Sequence, residues 1–337
     1  MFRKNSKVFL ISEIGINHEG NVQKCKRMIK QSKMLGMDAA KLQIVSPGDS
    51  YPKNSKSYKL FTKANFSDDQ IQAIFDYAKK VKIKLFATCD TLENINKINK
   101  YKPFAFKISS GLANQIFLLK HLVKLKKKII ISVGLLKIND IKKILKELNY
   151  YKNIIFMHSI SKYPTKETDL NLNSIEFLRT FLKGYEVGFS DHTKDDDAII
   201  TSISKGCTFI EKHFTYNKSR SGFDHSISYN FAEMKRLIIK ISKLEKSLGE
   251  NVYLNNKFQK REREIYLRYA VAKKKLKKLN TLKFEDIKFM RINNSKNAIE
   301  PTNIKLFLKK KLKKNILVNR PLRINDFKKW KDTNIMF

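Results

Sequence analysis

Short apolar runs alternate with longer amphipathic runs over most of the chain. The short runs suit buried parallel strands, whereas the long ones repeat apolar residues every three or four positions, as helices do. The predicted strands cover residues 7–15, 38–45, 83–90, 103–111, 128–134, 153–161, 185–191 and 207–214. The predicted helices between and after them include residues 22–36, 68–81, 114–128, 139–151, 171–184 and 231–249. Eight such units predict a (β/α)8 TIM barrel, although a doubly wound sheet shares the pattern.

The pattern changes after Gly249. We therefore assign residues 1–249 to the barrel domain and the charged segment 250–268, which lacks a strand pattern, to a linker. If extended, those roughly 19 residues could span about 60 Å. Short strand-like runs return in residues 269–337, which predict a small second domain. No internal repeat is evident in either part.

Composition favours a globular protein of the cytoplasm. The 337 residues are 42% hydrophobic, which is enough for a large core. We find no uninterrupted apolar run of about 18 residues, and the apolar segment near the N-terminus is too short for a signal peptide. Cys25, Cys89 and Cys207 are widely spaced without a CxxC pair, which predicts reduced thiols rather than disulfides or a cysteine zinc site.

The net charge of +39 raises the alternative of a nucleic-acid-binding protein. Lys, Ile and Asn are abundant along the whole chain, however, which indicates a general compositional bias rather than a placed basic patch. The aromatic residues are spread in the same way, so no binding stripe stands out. We therefore favour neither a nucleic-acid nor a membrane partner.

Polar residues fall where the predicted strands end, and barrel enzymes place their chemistry at the C-terminal ends of strands. The candidates are Glu13, Lys41, Gln43, Thr88, Lys107, Ser110, Ser132, Tyr163, Ser190 to Thr193, and His213. Because barrel strands are covered on both faces, a lysine within one has little access to water except at the barrel mouth. Lys41 and Lys107 so placed suit a substrate with phosphate or carboxylate groups.

Two neighbouring predicted strands, the seventh and eighth, each end near a histidine. His192 and His213 could converge on one divalent metal and leave positions open for water or substrate, as a Lewis-acid site requires. A single histidine on an apolar segment is more often structural, and His121 on a helix is read that way. Substrate contact and a structural role both remain open for the three histidines near loops at the same end, which are His18, His158 and His225.

Seven segments, in order, carry a resemblance to a known family. They are "SEIGINHEG", "AAKLQ", "FKISSG", "YPT", "GFSDHT", "IEKHFT" and "GFDH", and the match runs from about residue 8 to residue 230. Together they resemble the N-acetylneuraminate (sialic acid) synthase family, and the tail resembles its antifreeze-like (SAF) domain. The resemblance implies a TIM barrel that condenses phosphoenolpyruvate with an N-acetylated hexosamine and water, giving a nonulosonic acid and phosphate.

The resemblance also implies a divalent cation, manganese or magnesium, and a domain-swapped homodimer. Matched residue by residue, His192 and His213 are metal ligands, and Glu13 is the acid/base for the water that attacks C2. The positions matching phosphoenolpyruvate-binding residues are Lys41, Gln43, Thr88, Lys107, Ser110, Ser132 and Ser190. Tyr163 and Asp224 match positions near the sugar. Arg291 matches a tail-domain arginine that reaches the acetamido group.

Four departures from the family pattern lie on the sugar side. Leu112 follows the Ser-Gly of the fourth strand, where an acidic residue is common, and Ser161 stands in place of an asparagine. Phe223 replaces a proline, and "INNSKN" replaces a Pro-Gly segment after Arg291. The sugar therefore stays open between N-acetylmannosamine and the modified hexoses of legionaminic or pseudaminic acid synthases. A catalytically impaired sugar-binding relative is a further alternative.

Overall fold

The structure, a computed structural model, describes residues 8–249 and 257–328. Its contacts divide the chain into two units, Met1–Gly249 and Glu250–Phe337. The start of the first predicted strand, residues 250–256 of the predicted linker and residues 329–337 of the predicted second domain lie outside the described residues.

Eight parallel strands of the first unit close into a barrel. They are β1 (Phe9–Gly15), β2 (Ala39–Ile44), β3 (Lys84–Cys89), β4 (Phe106–Ile108), β5 (Ile129–Ser132), β6 (Ile154–Ser159), β7 (Glu186–Asp191) and β8 (Phe209–His213). Each pairs with its neighbours in sequence, and β1 also pairs with β8, in register from Phe9 opposite Phe209 to Glu13 opposite His213. The predicted TIM barrel is confirmed, and the doubly wound alternative is wrong because the sheet has no open edge.

Ten helices of the described part of this unit follow or connect the strands. They are α1 (Val22–Leu35), α2 (Pro47–Ser50), α3 (Lys56–Ala64), α4 (Asp68–Lys80), α5 (Leu92–Asn99), α6 (Ile116–Lys124), α7 (Ile138–Glu147), α8 (Asn173–Phe181), α9 (Asp197–Ser204) and α10 (Phe231–Leu248). Helix α1 shows why the boundaries fall where they do. The Asn21 side chain accepts from the backbone N–H of Lys24, and Gly36 ends the helix at a φ of 82°.

The barrel interior is apolar at one end and polar at the other. The apolar end is filled by a buried cluster of Ile11, Ala39, Phe86, Ala105, Ile130, Ile155, Met157 and Phe209. Alternate residues of a strand share a face, so the next inward positions are Glu13 after Ile11, Lys41 after Ala39, and Lys107 after Ala105. The apolar end closes the barrel, and the polar positions face the mouth.

Helix α11 (Lys257–Tyr266) opens the described part of the second unit, and two antiparallel strands follow, β9 (Tyr269–Ala272) and β10 (Ile287–Met290). Part of the predicted linker is therefore helical. A helix rises about 1.5 Å per residue, less than half the rise of an extended chain. The reach of about 60 Å applies only to a fully extended linker, and residues 257–266 are not extended.

The second unit contains an internal repeat that we did not predict. Two 3-10 helices lie 40 positions apart, Phe284–Asp286 and Ile324–Asp326. Each ends in an aspartate that forms an ion pair, Asp286 with Lys274 at 2.7 Å and Asp326 with Lys314 at 2.8 Å. Several side chains recur at this spacing, among them Lys274 and Lys314, Leu282 and Leu322, and Asp286 and Asp326. The sequence therefore carries the signal of the repeat, and we missed it.

Among the helices of the described ranges, none combines the length and apolar character that crossing a bilayer requires.

Candidate active site

A cavity of about 1040 Å³ opens at the C-terminal end of the barrel strands. It is lined by twelve site residues that the sequence predicted for the barrel: Glu13, Lys41, Gln43, Thr88, Lys107, Ser110, Ser132, Tyr163, Ser190, His192, His213 and Asp224. The other two strand-end candidates, Asp191 and Thr193, are not among the residues that line it. The twelve side chains come from loops or strands of all eight barrel units. The strand ends therefore bring residues up to 211 positions apart, Glu13 and Asp224, to one cavity.

Two lysines and two glutamates form a buried charge cluster at the floor of this cavity. Lys41 lies 2.9 Å from Glu13, and Lys107 lies 3.1 Å from Glu211, measured from nitrogen to the nearer carboxylate oxygen. Lys41 is also 3.7 Å from Glu211, so one carboxylate connects both ammonium groups. All four residues are less than 5% exposed. Charges so deeply buried are stable only when they are paired.

Neighbouring polar groups hold the cluster in place. Ser190 donates to Glu211 at 2.8 Å, and the Gln43 amide donates to the other carboxylate, Glu13, also at 2.8 Å. Lys41 donates to the Thr88 hydroxyl at 3.2 Å. These contacts join strands β1, β2, β3, β7 and β8, so the charged groups have little freedom to move when a substrate arrives.

The carboxyl groups of Glu13 and Glu211 differ in their pKa. Burial raises the pKa of Glu13 to about 7, and the nearby carboxylate of Glu211 adds to this rise. Burial would also raise the pKa of Glu211, but Lys107 and Lys41 outweigh it and lower that pKa to about 2. Glu211 is therefore a fixed anion at neutral pH, whereas Glu13 can take up or release a proton.

Sequence reasoning did not single out Glu211. The available signal was strand alternation, because Glu211 lies two positions before His213 on β8 and must share its face. The charged neighbours of Glu211 on that strand obscure this signal. Lys212 points to the other face, where it donates to Asp191 at 2.6 Å and to the backbone carbonyl of Thr193.

His192 and His213 lie side by side, with ring centres 5.4 Å apart. The Nδ1 of His192 donates to the backbone carbonyl of Ile160 at 2.7 Å, which leaves the other ring nitrogen with a free lone pair. The Nδ1 of His213 is buried and has no hydrogen-bond partner among the residues that the structure describes. Burial lowers the pKa of both histidines, so both are neutral.

Two further predicted residues flank this pair of histidines. The Tyr163 ring lies 4.2 Å from the His192 ring, centre to centre, and Asp224 places a carboxylate oxygen 3.6 Å from Nδ1 of His213. Burial raises the pKa of Asp224 to about 6. Within the described residues, no group of three or more His, Cys, Asp or Glu side chains converges as a metal site.

The three histidines left open by the sequence are not among the residues that line the cavity. His158 donates to the backbone carbonyl of Leu170 at 2.8 Å, and His18 stacks on Phe66 with ring centres 4.2 Å apart. His225 contacts Glu19 at 3.1 Å. Their contacts are those of structural residues.

The remaining predictions divide between the two units. Leu112, Ser161 and Phe223, which depart from the family pattern, all line the cavity. Arg291 belongs to the second unit, where its guanidinium carbon lies 4.9 Å from the centre of the Tyr266 ring. Cys25, Cys89 and Cys207 are buried free thiols.

Comparison with known proteins identifies similar chains. Residues 28–253 match the NeuB family. The chain is 31% identical to an N,N'-diacetyllegionaminic acid synthase of Campylobacter jejuni, over 81% of this chain and 86% of that protein. It is 30% identical to a pseudaminic acid synthase of the same species, over 97% and 98% of the two chains. The crystal structure of an N-acetylneuraminic acid synthetase from Leptospira borgpetersenii, in complex with citrate, superposes with a TM-score of 0.73 at 27% identity and covers 77% of this chain and 91% of that one.

Proposed function

The chain belongs to the NeuB family, and we propose that it condenses phosphoenolpyruvate with an open-chain N-acetylated hexosamine and water, giving a nonulosonic acid and phosphate. The observation that carries this proposal is the pair of buried ammonium groups, Lys41 and Lys107, at the floor of an open cavity. Such groups stabilise phosphate and carboxylate oxygens strongly where water is scarce. The relatives reported above are named as synthases of acidic sugars, so they give no support to the nucleic-acid alternative.

Lys41 and Lys107 would bind the phosphate and carboxylate of phosphoenolpyruvate, and hydroxyl groups at the strand ends would complete the set of donors. These hydroxyl groups belong to Thr88, Ser110, Ser132 and Ser190, and the Gln43 amide lies beside them. The C2=C3 π bond of phosphoenolpyruvate would open as C3 forms a bond to the aldehyde carbon of the sugar, and the C=O π electrons would pass to the aldehyde oxygen. Water would then add to C2, and Glu13 would accept one proton of that water and pass it to the sugar oxygen. The bond between C2 and the phosphate oxygen would break as the remaining hydroxyl becomes the C2 carbonyl, and the second proton would leave with the phosphate.

The residues present fit a divalent cation held by His192 and His213. Both imidazoles are neutral, as metal ligands must be, and the Nδ1 of His213 is a buried nitrogen without a hydrogen-bond partner. The backbone carbonyl of Ile160 orients His192, in the way that metal-bound histidines are usually fixed. A bound manganese or magnesium ion would polarise the sugar aldehyde.

The sugar end of the site would be formed by Tyr163 and Asp224. The second unit would be an SAF domain that, in a domain-swapped homodimer, brings Arg291 to the acetamido group of the sugar in the partner's barrel. A guanidinium suits an acetamido carbonyl because it offers several fixed donors and stays charged.

A panel of acceptors tests the reaction and separates the candidate sugars. Purified protein is mixed with phosphoenolpyruvate, manganese and one hexosamine at a time, including N-acetylmannosamine and hexoses with two acetamido groups. Phosphate release is measured together with the mass of the product. We expect release that depends on the sugar, with a product mass equal to the two substrates plus water minus phosphoric acid. No release with any hexosamine would refute the proposed reaction and leave the sugar-binding relative as the alternative.

A further inference from the structure

The turn after β1 contains a buried carboxylate that is not part of the charge cluster. The Glu19 side chain is 5% exposed, and its backbone has the left-handed φ of 56°. Lys24, on the following helix, donates to one carboxylate oxygen at 2.7 Å. The other partners of Glu19 come from the far end of the barrel sequence, about 200 residues away.

Those partners lie on the segment between β8 and α10, residues 216–228, which we term the β8 loop. The Tyr216 hydroxyl donates to Glu19 at 3.1 Å, and His225 donates through Nε2 at 3.1 Å. Arg220 donates two hydrogen bonds, one through Nη2 at 2.7 Å and a second through Nε. One carboxylate thus accepts from three residues of the β8 loop. Hydrogen bonds of this charge-assisted kind are about twice as strong as neutral ones.

Asn17, two positions before Glu19, holds the other end of the β8 loop. Its side-chain oxygen accepts from the backbone N–H of Asp224 at 3.1 Å, and its amide donates to the Ser228 hydroxyl at 2.9 Å and to the backbone carbonyl of Phe214 at 3.0 Å. Asn17 is fully buried. The turn after β1 therefore forms hydrogen bonds with both halves of the β8 loop, through Glu19 and Asn17.

Next to these points of contact the β8 loop carries Phe223 and Asp224 to the cavity. Phe223 has a φ of 51°, and Gly222 before it has a φ of 77°. A bulky residue such as phenylalanine adopts a positive φ only when its surroundings hold it there. Without the contacts of Glu19 and Asn17, this segment would relax, and both side chains would leave the sugar end of the site.

We propose that Glu19 and Asn17 are positioning residues for the sugar, acting through the β8 loop on Phe223 and Asp224. This rests on the proposed function, because it assigns the sugar to that end of the cavity. The phosphoenolpyruvate end is built on strand residues that the β8 loop does not carry. Loosening the loop should therefore weaken sugar binding selectively.

Steady-state kinetics of Glu19→Gln tests the proposal. The substitution keeps the size of the side chain and removes its charge. We expect the KM for the hexosamine to rise about tenfold or more, while the KM for phosphoenolpyruvate stays within about twofold. Glu19→Asp, which keeps the charge on a shorter side chain, should lie between Glu19→Gln and the wild type. Glu147→Gln is the matched control, because it removes a carboxylate from an exposed ion pair with Lys120 at 2.6 Å, and it should change neither KM.

Limited trypsin digestion gives a readout that does not depend on activity. Lys218 and Arg220 lie in the β8 loop, so cleavage after them, identified by mass spectrometry, should be about tenfold faster in Glu19→Gln than in the wild type or Glu147→Gln. Unchanged cleavage would overturn the proposal, as would an equal rise in both KM values. If the wild type released no phosphate with any sugar, the proposed function would fail. The digestion would still decide whether Glu19 holds the loop.

Discussion

The ion pair between Lys107 and Glu211 should dominate the stability of the empty site. Its charged atoms are 3.1 Å apart, and each side chain is at most 5% exposed. At an effective dielectric constant of about 20, two unit charges at that distance attract by about 5 kcal/mol. Removing one member of a buried pair typically costs about 3–5 kcal/mol, because the other charge is left without a partner.

The losses in the free energy of unfolding of the two single variants should therefore add up to more than the loss of the double variant. Lys107→Met leaves Glu211 with Ser190 and with Lys41 at 3.7 Å, so we expect a loss of about 3 kcal/mol in the free energy of unfolding. Glu211→Gln leaves Lys107 unpaired and weakens the pairing of Lys41, so its loss should be larger, about 4–5 kcal/mol. The double variant leaves no unpaired charge, and its loss should fall about 3 kcal/mol short of the sum of the two.

Urea unfolding of the metal-free proteins, followed by circular dichroism in the far ultraviolet, measures the cycle. Glu147→Gln, which breaks the exposed pair with Lys120, should not shift the midpoint and serves as the control. Lys107→Met and the double variant should both have a greatly reduced kcat/KM for phosphoenolpyruvate, because restoring stability does not restore the ammonium group of Lys107. Additive losses, within about 0.5 kcal/mol, would refute the pairing. An unchanged phosphoenolpyruvate dependence in Lys107→Met would refute its role in binding.

Three further outcomes follow from the structure and the proposed function. Chelation should abolish turnover and manganese should restore it, whereas His213→Ala should lose both bound metal and turnover; retention of both would contradict the metal assignment. Subunit exchange between inactive His213→Ala and inactive Arg291→Ala chains should regenerate activity, and its absence in proven heterodimers would exclude the domain swap. A Cβ on Gly134 would lie 1.9 Å from the backbone carbonyl oxygen of Ser159, so Gly134→Ala should cost about 1–3 kcal/mol and lower turnover. Gly48→Ala, where a Cβ meets nothing within 4 Å, is the control, and equal stability of the two variants would contradict the clash.

The sequence was sufficient to predict the barrel and the end of it that holds the candidate site. Strand alternation is a local property, and residues such as Lys41 and Lys107 interrupt apolar runs in which a charge is costly. Once eight parallel strands are predicted, their C-terminal ends must meet. Eleven of the twelve cavity residues predicted for the barrel could be identified for this reason, without knowledge of any contact between them, whereas Asp224 was predicted only from the family resemblance.

Contacts between segments that are distant in the sequence could not be predicted from local patterns. Glu19 and Arg220 are 201 positions apart, and nothing in either local pattern indicates that they meet. The repeat in the second unit is only partly visible in the sequence, because equivalent backbone turns, such as those at Leu279 and Asn319 with φ values of 69° and 63°, do not require the same residue. Glu211 is an intermediate case. Alternation from His213 predicts that its side chain lies on the inner face of the barrel, but its partners come from other strands and could not be predicted.

Net charge was a poor guide because it does not distinguish surface charge from buried charge. The chain carries +39 overall, yet the floor of the cavity holds two lysines against two glutamates, and one of those, Glu13, has a pKa of about 7. At neutral pH the cluster therefore lies between electrical neutrality and a single positive charge. Exposed lysines are screened by salt within about 10 Å, whereas buried ammonium groups are screened much less. Under the proposed function, an anionic substrate would therefore be selected by the position of Lys41 and Lys107 rather than by the excess of basic residues.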